Sequence, residues 1–277
     1  IGDQSASIFD QRRFQDLDIQ RVRLFVKWNA IDDQYLLQQA DQFVDAATRS
    51  GATVFMVPTA ADLAARRGRL PAPGAYRRKV GALVQRYRRR GVREWGVFNE
   101  ANRGGGDPRR AARLFTVMRG LCPNCTIVAL DVLEQPGAAG FVARFFAALP
   151  PRWDRRAQIL GVHNYAGVNR QRIGGTRRII RAARARGRSP AARFWITESG
   201  GLVSSPAYAC DERRAADRIR FLFSSARKLQ ADVDRLYVYA YWGNDCRERF
   251  DAGLVDADGR PRPGYRAFKQ AAASFLR

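Results

Sequence analysis

The sequence predicts an α/β protein that folds as one (β/α)8 (TIM) barrel domain over residues 1–277. Strand-like apolar runs alternate with amphipathic helical segments along the chain, as repeated βα units require. The length of 277 residues and the hydrophobic content of 46% suit a single barrel with a large core. No sequence repeat or low-complexity linker divides the chain, so we predict no second domain.

Seven segments are almost continuously apolar, as expected for parallel strands that are covered on both faces. These predicted strands are 21–28, 53–57, 94–98, 126–130, 159–163, 194–197 and 236–240. Residues 1–3 are predicted to be the end of an eighth strand, which comes first in the barrel. The chain opens at Ile1 without an initiator methionine, so we expect a trimmed mature form.

Helical segments with apolar residues at three-to-four spacing separate the strands. The predicted helices are 32–50, 76–90, 108–119, 139–149, 176–186, 210–229 and 261–277. Gly51, Gly91 and Gly120 mark helix ends, and Asp107 with Pro108 marks a helix start. The alternative is a doubly wound open sheet. However, no Gly-x-Gly-x-x-Gly follows an early strand, and the glycines at 104–106 lack the Lys-Ser/Thr of a phosphate loop.

The net charge of +23 and the isoelectric point near 11.2 suggest an anionic partner such as nucleic acid or an acidic glycan. Only four of the 49 basic residues are lysine, and arginine occurs throughout, a bias that a GC-rich coding background also produces. The sequence has no basic tail and no aromatic RNA-binding pattern. We therefore predict that the protein does not bind nucleic acid. We also expect a monomer. We also predict no membrane span, because no apolar run approaches about 18 residues.

The four cysteines form two groups. Cys122 and Cys125 form a C-x-x-C pair, which can be a redox pair or half of a zinc site. Zinc would need further ligands from Cys210, Cys246 and His163, which lie in other loops. A thioredoxin-like motif opens a helix, whereas this one leads into a predicted strand. We therefore favour disulfides 122–125 and 210–246 in a secreted protein that holds no metal.

His163 is the only histidine, which excludes any metal site with two histidines. A Ser-His-Asp triad would have to use His163. Ser199 follows Glu198 but lacks the Gly-x-Ser-x-Gly turn of such hydrolases. We expect no cofactor.

Two predicted strands end in glutamate, one at Asn99-Glu100 and the other at Thr197-Glu198. The carboxyl ends of barrel strands meet at one mouth, so both side chains can face the same ligand. Cleavage of a glycosidic bond needs two carboxyl groups, one to protonate the leaving oxygen and one to attack or to activate water.

These two motifs resemble those of clan A of the retaining glycoside hydrolases, whose catalytic glutamates follow barrel strands four and seven. Among its members, the chain is loosely similar to family 39 and family 5 barrels. The resemblance implies that Glu100 is the general acid/base and Glu198 is the nucleophile. The acid must hold its proton near neutral pH, so we expect a raised pKa for Glu100.

The resemblance also implies substrate-binding roles. Asn99 would bind the sugar 2-hydroxyl, and Arg23, inside a strand, would orient the nucleophile. His163 and Tyr165 would contact the nucleophile or the sugar, and Trp242 would form an aromatic floor.

Three further residues are candidates from their positions alone. Trp28 and Asn29 lie at the end of the strand 21–28, where an aromatic ring can stack on a sugar. Asp131, predicted at the end of the strand 126–130, would point toward the mouth and contact substrate.

The sequence thus predicts a secreted glycosidase that acts inside a polysaccharide chain, most simply a β-linked one. The short predicted βα loops indicate an open cleft, and an acidic glycan is the substrate if the positive charge is selected. Two alternatives remain open. One is a carbohydrate-binding barrel without catalysis, and the other is a basic surface protein that binds an anionic polymer.

Overall fold

The computed structural model describes residues 1–62, 70–186 and 192–275, and its centre is one curled sheet of parallel strands in sequence order. The strands are β1 (Arg21–Lys27), β2 (Thr53–Thr59), β3 (Glu94–Gly96), β4 (Thr126–Leu133), β5 (Ile159–His163), β6 (Arg193–Ser199) and β7 (Val233–Val238). Helices follow the strands in alternation. The predicted class of fold is confirmed.

The chain start lies between the two outer strands of the sheet. Gly2 forms parallel bridges to Arg23 in β1 and to Tyr239, the residue after β7. The Gly2 amide donates to the Val238 carbonyl at 2.8 Å, and the Arg23 amide donates to the Ile1 carbonyl at 2.8 Å. In place of the eighth strand predicted at residues 1–3, one residue, Gly2, bridges to both sides. It occupies the expected position between β1 and β7.

All seven predicted helices are present. The longer helices are α2 (Gln34–Arg49), α3 (Pro73–Arg88), α4 (Pro108–Leu121), α5 (Ala138–Ala148), α8 (Gly174–Arg186), α9 (Glu212–Lys228) and α10 (Pro263–Phe275). Side chains of Asp33 and Asp107 accept from the first free amides of α2 and α4, as N-caps do. The end of the last predicted helix, residues 276–277, lies outside the described residues.

Short helical turns occupy several connections that the sequence analysis left without structure. They are α1 (Arg12–Gln15), α6 (Pro151–Asp154), α7 (Tyr165–Asn169) and the 3-10 turns Ala6–Asp10 and Ala30–Asp32. Each is five residues or shorter, too short to show a helical period in the sequence.

Several strand ends differ from the prediction, and two of the differences concern the site. β4 continues to Leu133, so Asp131 lies inside this strand and not at its end, and its side chain is fully buried. β7 begins at Val233 and ends at Val238, before the cis peptide bond that joins Tyr239 to Ala240. Apolar runs continue past strand ends into buried loops, so hydrophobicity alone places these boundaries poorly.

Apolar side chains pack in two layers. The larger layer fills the space between the sheet and the surrounding helices and contains Phe43, Leu83 and Phe145. A smaller cluster fills the inside of the curled sheet. Its buried members are Phe55, Val57, Val128, Trp195 and Tyr237. Polar residues of the strands lie above this interior cluster, toward the carboxyl ends, where the candidate site is found.

The structure contains two disulfides, one within a turn whose two cysteines are buried and one between two loops. Cys122 pairs with Cys125, and Cys210, after β6, pairs with Cys246, after β7. Both pairs are those predicted. Within the described part of the chain, no helix combines the length and the apolar character needed to cross a bilayer.

Candidate active site

Glu198, in β6, is bound through both of its carboxylate oxygens. The Arg23 guanidinium donates from Nη1 to Oε2 at 2.6 Å, and the Tyr165 hydroxyl donates to Oε1 at 3.1 Å. Arg23 lies in β1, and Tyr165 opens the short helix α7 just after β5. Charge-assisted hydrogen bonds of this kind favour an ionised carboxylate and fix its orientation.

The Arg23 side chain is fully buried and connects several parts of the site. Its Nη2 donates to Asn99 Oδ1 at 2.6 Å and lies 3.5 Å from Asp131 Oδ2. Burial lowers the pKa of Arg23, but the charges of Glu198 and Asp131 raise it by more than burial lowers it. The net pKa is therefore raised. Arg23 is therefore a permanent buried cation whose charge is matched by carboxylates.

Asp131 lies beneath the glutamates and binds side chains of two other strands. It accepts from Thr197 Oγ1 at 2.5 Å and from His163 Nε2 at 3.1 Å. A Cβ at Gly161 would lie 2.4 Å from Asp131 Oδ1 and 2.7 Å from Thr197 Oγ1, so glycine leaves the space for this bond. Burial raises the pKa of Asp131, but His163 and Arg23 lower it more strongly, and the net pKa is depressed.

His163, at the end of β5, lies between the three carboxylates. Its Nδ1 is 3.1 Å from Glu100 Oε1 and 3.7 Å from Glu198 Oε2. Burial lowers the pKa of the imidazole, but Asp131 and Glu198 raise it, to a value of about 10. This pKa favours a charged ring at neutral pH, in which Nδ1 and Nε2 donate to carboxylates, and Nε2 also lies 3.3 Å from the like-charged Arg23 Nη2. The distances to Glu100 and Glu198 are both measured from Nδ1. Glu100 Oε1 and Glu198 Oε2 therefore cannot lie farther apart than these two distances added together.

Glu100 follows β3 and lies in a turn with a left-handed backbone (φ 48°). Such a conformation costs a residue with a side chain about 1 kcal/mol and is concentrated at functional sites. The Arg103 guanidinium, in the same turn, donates from Nη1 to Glu100 Oε2 at 2.9 Å. Glu100 thus has one buried partner, His163, and one partner at the surface.

The electrostatic setting of Glu100 differs from the expectation. Burial raises its pKa, but the hydrogen bond and charge of His163, together with Arg103, lower it to about 2. The expectation of a raised pKa for Glu100 is therefore wrong. Arg103 lies only three residues after Glu100 in the sequence, but the contact with His163 joins distant segments, and the charge of His163 depends on the other carboxylates that surround it.

An aromatic group that the sequence analysis did not identify lies beside Glu198. The electrostatic effect of Glu198 adds to burial in raising the pKa of Tyr239, which places this phenol near the carboxylate. The Tyr239 ring lies 6.2 Å from the ring of Phe25 and 6.4 Å from that of Phe250. Phe250 also packs edge-on against Tyr165 at 5.4 Å. The position of Tyr239 at the end of a predicted strand was the signal available in the sequence.

The remaining candidates lie around this centre without a bond to either glutamate among the described contacts. The Trp28 ring lies 6.0 Å from Lys79 Nζ, and the amide oxygen of Asn29 is buried without a hydrogen-bond donor. Trp242 packs edge-on against Tyr241 at 5.4 Å, and its amide donates to Asp3. The substrate-binding roles of Trp28, Asn29 and Trp242 remain predictions.

A cavity of about 510 Å³ lies at the other end of the barrel, beside the amino ends of β1 and β7. Its lining includes Ile19, Arg21, Leu236 and Phe275, and it contains none of the carboxylates described above. Ligand sites of parallel barrels lie at the carboxyl ends of the strands. We therefore place the candidate site at the paired glutamates and not at this cavity.

No family model matches the sequence, and no curated protein matches it. Solved structures do match the fold. A family 39 glycoside hydrolase from Bacteroides cellulosilyticus WH2 is 17% identical, with a TM-score of 0.67 over 97% of this chain and 60% of that one. A family 5 (GH5_18) structure from Streptomyces cattleya in complex with GlcNAc is 17% identical, with a TM-score of 0.72 over 98% and 74%.

A psychrophilic family 10 endo-β-1,4-xylanase is also similar in structure, at 14% identity and a TM-score of 0.67. The match covers 97% of this chain and 94% of the xylanase. The chain therefore spans nearly all of the xylanase and about three fifths of the family 39 structure. The predicted resemblance to the clan A barrels is confirmed as a likeness of fold.

Proposed function

We propose that the protein is a retaining glycoside hydrolase in which Glu198 is the nucleophile and Glu100 is the general acid/base. One observation carries this proposal. Glu100, in the turn after β3, and Glu198, in β6, approach the same nitrogen of His163 at 3.1 and 3.7 Å, respectively. Both belong to the carboxyl end of a barrel whose fold is that of glycoside hydrolases. Two carboxyl groups so close can act on one glycosidic bond.

The proposed reaction proceeds in two displacements. A Glu198 oxygen forms a bond to the anomeric carbon while the bond to the leaving oxygen breaks, and Glu100 transfers its proton to that oxygen. Glu100, now ionised, then accepts a proton from water as the water oxygen attacks the anomeric carbon. The bond to Glu198 breaks, and both carboxyl groups return to their starting states. The anomeric configuration is retained because it is inverted twice.

The surrounding residues have distinct parts in this proposal. Arg23 and Tyr165 hold the attacking carboxylate, and we assign to Asn99, which Arg23 binds, the contact with the sugar 2-hydroxyl. Asp131 and His163 have no exposed side-chain surface, so we assign them to positioning and not to contact with the sugar. Tyr239 is our candidate for the ring on which the sugar stacks.

The acid step needs a protonated Glu100, whereas His163 and Arg103 lower the pKa of this carboxyl to about 2. Substrate binding must therefore change the surroundings of Glu100. Arg103 is the partner that can leave, because its side chain is half-exposed, while His163 is enclosed by the sheet. Burial raises the pKa of Glu100, and the charges of His163 and Arg103 lower it. Once Arg103 has moved away, only His163 of these two cations still lowers the pKa, so the pKa rises.

We further propose a β-linked polysaccharide as substrate, cleaved within the chain, and a secreted, monomeric protein. Among the similar structures are an endo-β-1,4-xylanase and a β-1,4-mannanase. The two disulfides favour an oxidising compartment. The chain spans about three fifths of the family 39 structure. For a longer protein that contains this barrel, hydrolysis of a polysaccharide is likewise our proposal.

A second candidate function is sugar binding without hydrolysis, and the low pKa of Glu100 favours it. An acid that stays ionised in the complex cannot donate a proton, although the aromatic group near Glu198 could still hold a sugar. In that case Tyr165, Tyr239 and Phe250 would form the ligand-binding surface.

The test combines a polysaccharide panel with the variant Glu100→Gln. We expect the wild type to release oligosaccharides from one β-linked polymer. We expect Glu100→Gln to bind that polymer with similar affinity, while its kcat falls about 10²- to 10⁴-fold. Proton NMR of the first product should show the retained anomer. Unchanged turnover in Glu100→Gln would remove the assignment, an inverted product would exclude the mechanism, and binding without turnover in the wild type would support the second candidate.

A further inference from the structure

The charged groups of the site balance one another when every acid is ionised. There are three carboxylates and three cations. The carboxylates are Glu100, Asp131 and Glu198, and the cations are Arg23, His163 and Arg103. The raised pKa of His163, about 10, keeps the imidazole charged at neutral pH. The resting site is therefore neutral as a unit, as expected for buried charges.

This balance is lost in the state that performs the first chemical step of the proposed function. Glu100 must then carry a proton, so one negative charge is removed and one cation has no counterpart. Arg23 keeps its contacts with Glu198 and Asp131, and His163 keeps its contacts with Asp131 and Glu198. The unmatched charge is therefore that of Arg103.

Among the three cations, Arg103 is also the one that a ligand can reach. Its side chain is 52% exposed, compared with 0% for Arg23 and His163. Its amide bonds the Glu100 carbonyl at 2.9 Å, which keeps the residue in the turn of the acid. Among the described contacts of its guanidinium, only Nη1 is engaged, so further N–H donors are free for a ligand.

We propose that Arg103 binds a carboxylate of the substrate, on the sugar that leaves, and that the preferred substrate is accordingly a glycan containing uronic acid. Glu100 protonates the leaving oxygen, so a guanidinium bonded to Glu100 lies on the leaving-group side of the cleaved bond. The planar guanidinium matches a carboxylate through two parallel hydrogen bonds. The incoming carboxylate takes Arg103 from Glu100 and restores the balance of charge.

This inference rests on the proposed function and makes it more specific. Binding of a substrate carboxylate at Arg103 differs from a general attraction of anions to the basic surface. A net charge of +23 attracts any polyanion over a long range, and salt screens that attraction. A contact at Arg103 instead depends on one side chain and on the protonation of its neighbour.

The experiment uses Glu100→Gln, in which a neutral side chain of the same shape stands in for the protonated acid. The probes are β-1,4-linked glucan, mannan and galactan tetrasaccharides and their counterparts with a carboxyl group at C6. Calorimetric titration measures the affinity ratio of the acidic to the neutral member of each pair. We expect a ratio of about tenfold or more on the backbone that binds, since a charged hydrogen bond is made only by the acidic member.

Two further variants in the same background test the origin of the ratio. Arg103→Gln should bring it close to one. Arg220→Gln removes the same charge from a 58% exposed arginine that pairs with Asp217 on helix α9, and it should leave the ratio unchanged. The wild type should show a smaller ratio than Glu100→Gln, because its ionised Glu100 competes for Arg103.

The outcomes distinguish a failure of the uronic acid inference from a failure of the proposed hydrolase function. Equal losses in Arg103→Gln and Arg220→Gln would show a general charge effect and overturn the inference. Equal binding of neutral and acidic glycans would also overturn it, while hydrolysis of a neutral polymer by the wild type would leave the proposed function intact. If none of the glycans binds or is cleaved, the proposed function fails and the inference fails with it.

Discussion

Glu198 and Glu100 lie within reach of one imidazole, yet the two carboxylates are held in different ways. Glu198 belongs to a β-strand, and its oxygens accept from Arg23 and Tyr165, both buried. Glu100 occupies a left-handed turn, and one of its two partners, Arg103, is half-exposed. The first carboxylate is held by two buried donors, whereas one of the two donors of the second is open to solvent.

The difference corresponds to the two tasks proposed for the pair. A nucleophile keeps its charge and its direction until it attacks, so permanent buried donors suit it. An acid/base group must be protonated in one step and ionised in the next. A partner that can leave and return changes the pKa of Glu100 between the steps, whereas a second buried cation would hold it near 2 throughout.

The largest effect is expected from Glu198→Gln, which keeps the size of the side chain and removes the nucleophile. On an aryl glycoside with a good leaving group, turnover should fall to the background rate. Glu100→Gln should keep the first, glycosylating step on the same compound, because that leaving group needs no proton. Stopped-flow release of the aryl group measures both.

If the two variants lose the first step equally, the division of tasks between the glutamates is wrong. If Glu100→Gln loses it and Glu198→Gln keeps it, the roles are reversed.

The next effect concerns stability on the side of Glu198. Arg23→Met removes the buried guanidinium bonded to this carboxylate and leaves His163 as the buried cation that still contacts Glu198 and Asp131. The free energy of unfolding should fall by about 3–5 kcal/mol. Arg103→Gln, at the half-exposed partner of Glu100, should cost less than about 1 kcal/mol. Urea denaturation measures both.

Arg23→Lys is the control that keeps the charge, and it should recover part of the loss. Similar losses in Arg23→Met and Arg103→Gln would show that the two sides of the site are equally rigid.

The pH dependence of stability tests the cation that the two sides share. The pKa of His163 is raised from 6.5 to about 10, so its contribution is fully present below pH 6.5 and is lost as the pH rises through 10. The pKa of Glu100 is lowered from 4.5 to about 2, so its contribution is present above pH 4.5 and is lost as the pH falls through 2.

Between pH 6.5 and 10 the wild type should lose up to about 1.4 kcal/mol per pH unit relative to His163→Gln. Unfolding free energies of both proteins at intervals across this range give the difference. Parallel curves would mean that His163 is neutral in the folded protein, and the balance of charges described above would then be wrong.

The smallest effect is expected at the edge of the aromatic group near Glu198. Phe250 is 38% exposed and packs edge-on against Tyr165. If a sugar ring stacks here, Phe250→Ala should raise KM about two- to tenfold and leave kcat nearly unchanged. Tyr35→Ala, at a 66% exposed aromatic residue on helix α2, is the matched control. Equal KM values for the two variants would place the sugar elsewhere.

Much of this arrangement could be predicted from the sequence, because it depends on patterns within short segments. Apolar runs identified the strands, and the residues that follow them identified both glutamates and the disulfide partners. Arg23 was a candidate because an arginine inside an apolar strand needs a buried anion. His163 and Tyr165 were candidates because the resemblance to the clan A barrels implies a site role for residues at this strand end.

Other features depend on residues far apart in the chain. The fully buried position of Asp131 requires the small Gly161 on the neighbouring strand. Tyr239 and Phe25 meet because the two outer strands of the sheet approach each other beside Gly2. No local pattern records such contacts, so the sequence did not identify Tyr239 as a neighbour of Glu198, and the role of Trp242 stays a prediction.

By itself the sequence determined the order of strands and helices and the position of two glutamates at strand ends, since these follow from hydrophobic period and chain direction. Only the tertiary structure decided the electrostatic character of the site. The charge of His163 and the low pKa of Glu100 arise from groups on several strands that are brought within a few ångströms. At such distances, and away from water, the neighbours of an acid determine its protonation more than its own chemistry does.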